Sequence, residues 1–314
     1  METILKERWG LLFMTYGSPE SQSDIKDFYT RIRGGREPSE VELNVLRNRY
    51  AAIKKSPLLA HNEEQVRAVA DMIYSRFSIE MPYYLGCIYA KPYMYETFHA
   101  MKDAGITKVI GLPGTPFDTA ATRLPYVKMI SDVSEQYHIP VTMVSNWYDD
   151  GKLALCWAQR IMDVLQANGL DRLHEIAFIF TAHSMPQMVV DAGDAYTKQI
   201  SDLISQILIA IDIPKSAVYQ AWQSAGTRGK WLQPTISEVL QRVYSEGYKI
   251  AVIIPVGFIT EHLEVLYDND IECKNFCELH DMIYLRPIMP NTNTYAVEAM
   301  ANAVYKAIED RKDK

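Results

Sequence analysis

Three acids stand at steps of four in the stretch Pro255-Val-Gly-Phe-Ile-Thr-Glu-His-Leu-Glu264-Val-Leu-Tyr-Asp268-Asn-Asp-Ile-Glu272-Cys-Lys274. On a helix, residues four apart share a face, so Glu264, Asp268 and Glu272 make one stripe of carboxylates. Like charges this close oppose one another's ionisation unless a cation or a proton sits among them. Taken alone, such a stripe is a solvated surface. Its placement changes that reading: it follows the apolar run Ile250 to Val256 and the break at Gly257. The acids therefore begin about one turn beyond the carboxyl end of a buried strand, where open α/β sheets place their ligands.

A histidine occupies the matching place on another strand. Thr181-Ala-His183-Ser-Met-Pro186 follows the run Glu175 to Phe180, and if both strands belong to one sheet, imidazole and carboxylate face one crevice. That pair suits a borderline divalent metal such as ferrous iron, and either group can take a proton near neutral pH. His183 and Glu264 are thus the expected metal-handling and catalytic pair. Asp268 and Glu272 form a ladder toward it that can replace a metal's water shell stepwise.

Other strand ends carry further candidates. Met14-Thr-Tyr16-Gly-Ser18-Pro19 closes the first strand, and Gly17 lets the backbone turn so that the phenol of Tyr16 points into the same cleft. Trp222-Gln-Ser-Ala-Gly226 ends another, with Trp231 opening the next helix; the glycine permits close ligand approach, and both tryptophans also suit a core. Arg31, Arg33, Arg36, Arg47 and Arg49 lie between the first two strands, where guanidinium groups can clamp ligand carboxylates bidentately. Cys273 and Cys277 stand one helical turn apart, a spacing open to a metal or cluster, but four cysteines in 314 residues make neither a disulfide framework nor an expected iron–sulfur centre.

The elements that must position these groups are legible as apolar runs. Gly10 to Thr15, Tyr83 to Ile88, Lys108 to Leu112 and Val141 to Val144 read as strands of a first half, and Ile176 to Thr181, Ala217 to Trp222, Ile250 to Val256 and Met282 to Leu285 as those of a second. Helical patterns alternate with them, which implies α/β architecture: two doubly wound halves, each a parallel sheet of four strands, with a cleft between. The division falls at 1–150 and 151–314, where Asn146 to Gly151 ends one half and a helix from Lys152 to Asn168 opens the next. The segment from Gly17 to Phe77 is too long for a plain crossover and should hold two or three helices as a lid. One is expected to start on a serine cap at Ser23 and end at Gly34-Gly35, and the next to run from Pro38-Ser39 to about Ile53.

Composition sets outer limits. The net charge of −7 argues against nucleic acid as a main partner, and no run approaches the roughly 20 apolar residues of a membrane span. The charged start, Met-Glu-Thr-Ile-Leu-Lys-Glu-Arg, does not suit a signal peptide. A soluble cytoplasmic protein is expected, its size compatible with a monomer. Twenty tyrosines suit contact with a large flat ligand as well as ordinary packing.

On these residues the chain resembles ferrochelatases along essentially its whole length. The stretch from Pro255 to Cys273 carries the resemblance most specifically, and Ala182-His-Ser-Met-Pro186, Trp222-Gln-Ser, Trp231-Leu-Gln-Pro234 and Met14-Thr-Tyr-Gly-Ser-Pro19 support it independently. The tyrosine at 16 is similar to the Gram-positive branch that uses coproporphyrin III. The resemblance implies the chelatase fold and insertion of ferrous iron, as substrate, into a porphyrin lying in the cleft, with no permanently bound cofactor. It also implies that His183 and Glu264 form the distal pair, that Asp268 and Glu272 continue the acidic path, and that Tyr16 contacts iron axially in the product. Ser18, Arg33, Arg49, Tyr50, Ser56 and Tyr126 would hold the macrocycle and its propionates. A coproheme decarboxylase would be a transient partner.

The chain departs from the family pattern at Lys54-Lys-Ser56-Pro57-Leu58 in place of a glycine-rich loop, and at Pro113-Gly-Thr-Pro-Phe117-Asp118. Tyr89 stands where a histidine is expected, and Ala225 where an acid is common. The reading is therefore a divergent coproporphyrin ferrochelatase. The alternatives are a tetrapyrrole carrier or sensor that has lost turnover, and a chelatase for another metal or tetrapyrrole.

Overall fold

All eight apolar runs form strands. The computed structural model describes residues 7–312 apart from 172 and 227. β1 (Trp9–Thr15), β2 (Tyr83–Cys87), β3 (Lys108–Pro113) and β4 (Val141–Met143) make one sheet in the order β2-β1-β3-β4. β5 (Ile176–His183), β6 (Val218–Gln223), β7 (Ile250–Ile254) and β8 (Ile283–Leu285) make a second, ordered β6-β5-β7-β8. Every pairing is parallel. The unbroken apolar character of β1 and β5 follows from their central places: Leu11 to Met14 and Ile176 to Phe180 are fully buried, because helices cover both faces.

The insertion between β1 and β2 holds three helices: α1 (Ile25–Ile32), α2 (Glu40–Ala52) and α3 (Leu58–Phe77). Ser39 caps α2 through a capping box with Glu42, as its spacing predicts. The cap expected at Ser23 is not made. Asp24 stands before α1 without a side-chain cap bond; its carboxylate accepts instead from the Ser21 amide at 3.0 Å, closing a turn ahead of the helix. Gly34 and Gly35 end the α1 segment at positive φ.

The remaining helices are α4 (Met94–Asp103), α5 (Ala120–Tyr137), α6 (Lys152–Ala167), α7 (Gln187–Asp191), α8 (Tyr196–Ala210), α9 (Ile236–Ser245), α10 (Lys274–Leu279) and α11 (Thr294–Lys312). The final helix packs on α3 and α6, with the rings of Tyr305 and Phe77 stacked 3.9 Å apart. One hydrophobic core consequently runs from Leu11 and Phe13 of the first sheet through Trp157 of α6 to Phe178 and Ile254 of the second. Each such large side chain contributes roughly 1.5–3 kcal/mol by burial. Among the described residues no helix is long and apolar enough to cross a membrane.

The acidic stretch differs from expectation in form. β7 ends at Ile254, residues 255–263 form a loop, and Glu264–Cys273 is a π-helix rather than an α-helix. Its i→i+5 bonding widens the turn by one residue, a state that apolar periodicity does not signal and that recurs at functional sites. Glu264 therefore lies a full loop, not one turn, beyond its strand.

Candidate functional site

A cleft of 460 Å³ opens at the carboxyl ends of the central strands of both sheets. Of the residues singled out in the sequence, Tyr16, Ser18, Tyr50, Ser56, Tyr126, His183 and Glu264 line it, whereas Arg33, Arg49, Asp268 and Glu272 do not. A larger groove of 1240 Å³ runs between β4 and α11, but it shares no residue with the cleft, and two of its charged lining residues, Lys108 and Glu7, are paired with each other.

His183 is the last residue of β5, and its Nε2 lies 3.5 Å from Oε1 of Glu264. The other ring nitrogen, Nδ1, is 2.5 Å from the Ser184 carbonyl. A carbonyl can only accept, so Nδ1 carries the proton and Nε2 is the atom offered to the cleft. The second oxygen of Glu264, Oε2, meets Nε2 of His262 at 3.4 Å, and Nδ1 of His262 is anchored in turn on the Thr260 carbonyl at 2.9 Å. One carboxylate thus sits between two imidazoles, each fixed in orientation by backbone.

These contacts set the charges. Burial alone would lower the pKa of His183, but the Glu264 carboxylate, the Ser184 carbonyl and the more distant Asp268 together raise it above the ordinary imidazole value. Burial alone would raise Glu264, and the two imidazoles hold it well below the ordinary carboxylate range instead. At neutral pH the pair is ionic. The result is a proton held where a cation would go.

Across the cleft the wall is neutral. Tyr16 follows β1 on the turn made by Gly17, whose φ is +84° and where an added Cβ would lie 2.7 Å from that of Ala90. Its ring packs edge-on against Tyr89 at 5.4 Å and beside Tyr126 at 5.9 Å. Burial, then Tyr89 and Glu264, push its phenol pKa upward, so it stays protonated. Burial likewise raises Tyr50 to about 12, and the Ser18 hydroxyl donates to its oxygen at 3.5 Å.

The two outer acids are engaged elsewhere. Asp268 is buried; its Oδ2 accepts from the Ser224 hydroxyl and its Oδ1 lies 3.5 Å from Nη1 of Arg49. Burial lifts Asp268 to about 6; the Ser224 bond and Arg49 pull it down, while Glu264 and Glu272 push it up. Glu272, half exposed, reaches Nη2 of Arg49 at 3.7 Å. Arg49 therefore lies against the acidic stripe and over the ring of Tyr267, outside the cleft lining. Arg33 is paired with Glu42 at 2.7 Å.

Three features were not singled out from sequence. His262 stands two residues before Glu264, its own type the only signal. Tyr196, at the start of α8, donates from its hydroxyl to the His183 carbonyl at 3.1 Å and lines the cleft, with no local motif to mark it. Gln223 bridges Thr181 of β5 to the Glu264 backbone from within Trp222-Gln-Ser224, a motif read as a strand terminus and as support for the resemblance, with no role given to the glutamine itself. Gly226 makes room for protein rather than ligand, since a Cβ there would lie 2.3 Å from the Trp231 indole, and that indole lines the cleft. Cys273 and Cys277 are both buried in the second sheet's core as free thiols, and burial pushes Cys277 up to about 11. Among the described residues no three His, Cys, Asp or Glu side chains converge to hold a metal ion.

The fold matches two solved structures at low identity. One is SirB from Bacillus subtilis with Fe3+, at a TM-score of 0.62 and 13% identity over 98% of each chain. The other is the sirohydrochlorin chelatase SirB from Bacillus subtilis subspecies spizizenii in complex with cobalt, at 0.59 and 12% over the same shares. Similarity to curated proteins is closer. A coproporphyrin III ferrochelatase of Geobacillus kaustophilus is 34% identical over 99% of each chain, and one of Oceanobacillus iheyensis is 35% identical over 96% of this chain and 97% of its own. Coproporphyrin III ferrochelatase 2 of Bacillus cereus is 35% identical over 98% and 97%. The family model for ferrochelatase matches residues 8–308, and on that span the chain belongs to the ferrochelatase family, the porphyrin metal chelatases.

Proposed function

We propose that this protein inserts ferrous iron into coproporphyrin III to give coproheme, acting in the cytoplasm as a lyase of haem biosynthesis. The observation that carries the reading is the ion pair of His183 and Glu264 facing Tyr16 across a cleft walled by tyrosines. Full-length relatives named coproporphyrin III ferrochelatase support the choice of porphyrin.

Metallation requires two pyrrole protons to leave and the incoming cation to lose its waters. Nε2 of His183 offers a lone pair once its proton is released, and Glu264 supplies a carboxylate whose negative charge favours the cation. Asp268 and Glu272 provide carboxylates along the approach. Tyr16, a neutral phenol on the opposite side, would offer iron in the product only a weak oxygen contact, which would leave coproheme free to pass to a decarboxylase. Ser18, Tyr50, Ser56 and Tyr126 flank the macrocycle. Arg33 and Arg49 take propionates by exchanging Glu42 and the acidic stripe for substrate carboxylates, a re-pairing that keeps each guanidinium satisfied.

The test is anaerobic incubation with ferrous iron and either coproporphyrin III or protoporphyrin IX, following the porphyrin absorbance. Conversion of coproporphyrin III in preference is expected. Porphyrin binding without metal uptake would overturn the enzyme reading in favour of a carrier, and preference for protoporphyrin IX would overturn the substrate.

A further inference from the structure

We infer that Gln223 is a positioning residue for the metal-handling pair: it ties the strand end bearing His183 to the backbone of Glu264 and so sets the gap between them. This inference rests on the proposed role of that pair. Gln223 is 2% exposed and is the register partner of His183 across the β5–β6 ladder. Its backbone carbonyl accepts from the Ser184 amide at 2.7 Å, the same Ser184 whose carbonyl orients the His183 ring. Its side-chain Oε1 accepts from the Thr181 hydroxyl at 2.8 Å, and its Nε2 donates to the Glu264 carbonyl at 3.0 Å.

No other amide orientation satisfies this set, because the Glu264 carbonyl can only accept and must face the NH₂ group. Glu264 is the first residue of the π-helix and follows a loop of residues 255–263, so it reaches the His183 side through loop backbone rather than through a strand. A loop-borne carboxylate needs such an anchor to stay 3.5 Å from an imidazole at a strand end. Both atoms of the Gln223 amide are engaged in this bridge, and Gln223 is not itself part of the cleft lining. The neighbouring residue continues the pattern: Ser224, at a left-handed φ of 58°, donates to Asp268 one turn further along the π-helix.

Gln223→Met keeps volume and removes both hydrogen bonds; Thr181→Val removes only the outer one. Two readouts are needed, zinc binding to the porphyrin-free protein and steady-state metallation against the wild type. Gln223→Met should weaken zinc binding and lower kcat, each by about 10- to 100-fold, the usual cost of losing a group that orients a metal ligand. Porphyrin KM should stay within about twofold. Thr181→Val should show the same split more weakly, and the double variant should be no worse than Gln223→Met, because the two bonds are in series. The Thr181→Val result stands on its own if Gln223→Met does not fold. Unchanged zinc affinity and kcat in a folded variant, or a KM that rises as kcat falls, would overturn the inference. Zinc binding weakened as expected in a protein whose wild type metallates no porphyrin would uphold the bridge while removing the proposed function.

Discussion

The two halves share a scaffold and differ in charge. Each has a parallel sheet whose first strand lies between its second and third, and each sends the carboxyl end of that strand into the cleft. From β1 this delivers Tyr16 and Ser18 among tyrosines whose phenols burial keeps neutral. From β5 it delivers His183 against Glu264, with His262 and Asp268 behind. Cross-links differ accordingly: the ionic wall is tied strand to strand by Gln223 and Thr181, while the phenolic wall is held by ring packing. The difference teaches that backbone topology sets which strand ends meet at the cleft, and that the pairing of imidazole with carboxylate against the cost of burial makes one wall ionic while burial keeps the other neutral.

If that division is right, the largest effects lie on the ionic wall. His183→Ala and Glu264→Gln should each lower ferrous insertion by about 10²- to 10⁴-fold, the usual contribution of a positioned acid–base group, with porphyrin binding retained. Stopped-flow metallation and fluorescence quenching separate the two. Full activity in both variants would dissolve the contrast. Next comes Gly226→Ala, which forces the Trp231 indole to move from 2.3 Å contact. Overpacking of this kind costs about 1–3 kcal/mol in denaturant unfolding and should raise porphyrin KM more than it lowers kcat. Tyr16→Phe tests the neutral wall: turnover should change by less than about tenfold, below 1.4 kcal/mol, while the absorption spectrum of the enzyme-bound product shifts for want of the phenol. A loss as large as that of His183→Ala would place chemistry on both walls.

The scaffold was legible because parallel strands buried on both faces must be continuous apolar runs, as Leu11 to Met14 and Ile176 to Phe180 are. Tyr16 and His183 were legible because strand ends mark the cleft, and Glu264 because it heads a stripe of acids on the segment that follows β7. What was hidden was non-local or lay in the hydrogen bonding. The π-helix depends on i→i+5 bonds that side-chain spacing does not encode. Tyr196 reaches His183 from the start of a helix on the other side of a loop. Arg49 was assigned to the propionates by the family resemblance, and its partners in the structure, Asp268 and Glu272, lie more than two hundred residues along the chain, where no local pattern announces them.

Asp268 shows the ionic wall exacting stability, and it gives the smallest and most pH-specific expectation. An unfolded aspartate titrates near about 4, and burial together with Glu264 and Glu272, against the pull of Ser224 and Arg49, lifts Asp268 to about 6 in the folded protein. The folded state thus binds this proton more tightly than the unfolded state. By linkage, its contribution is most favourable below about pH 4, falls as pH rises toward 6, and is a constant penalty above that. Asn at this position cannot ionise and still accepts from the Ser224 hydroxyl, but it gives up the attraction to Arg49. Asp268→Asn should therefore raise the unfolding free energy at pH 8 by on the order of 1 kcal/mol, with the gain shrinking to nothing near pH 4. Urea midpoints at the two pH values measure this. A gain of equal size at both would show that Asp268 is an ordinary surface-like acid, and that the ionic wall is no more strained than the tyrosines opposite.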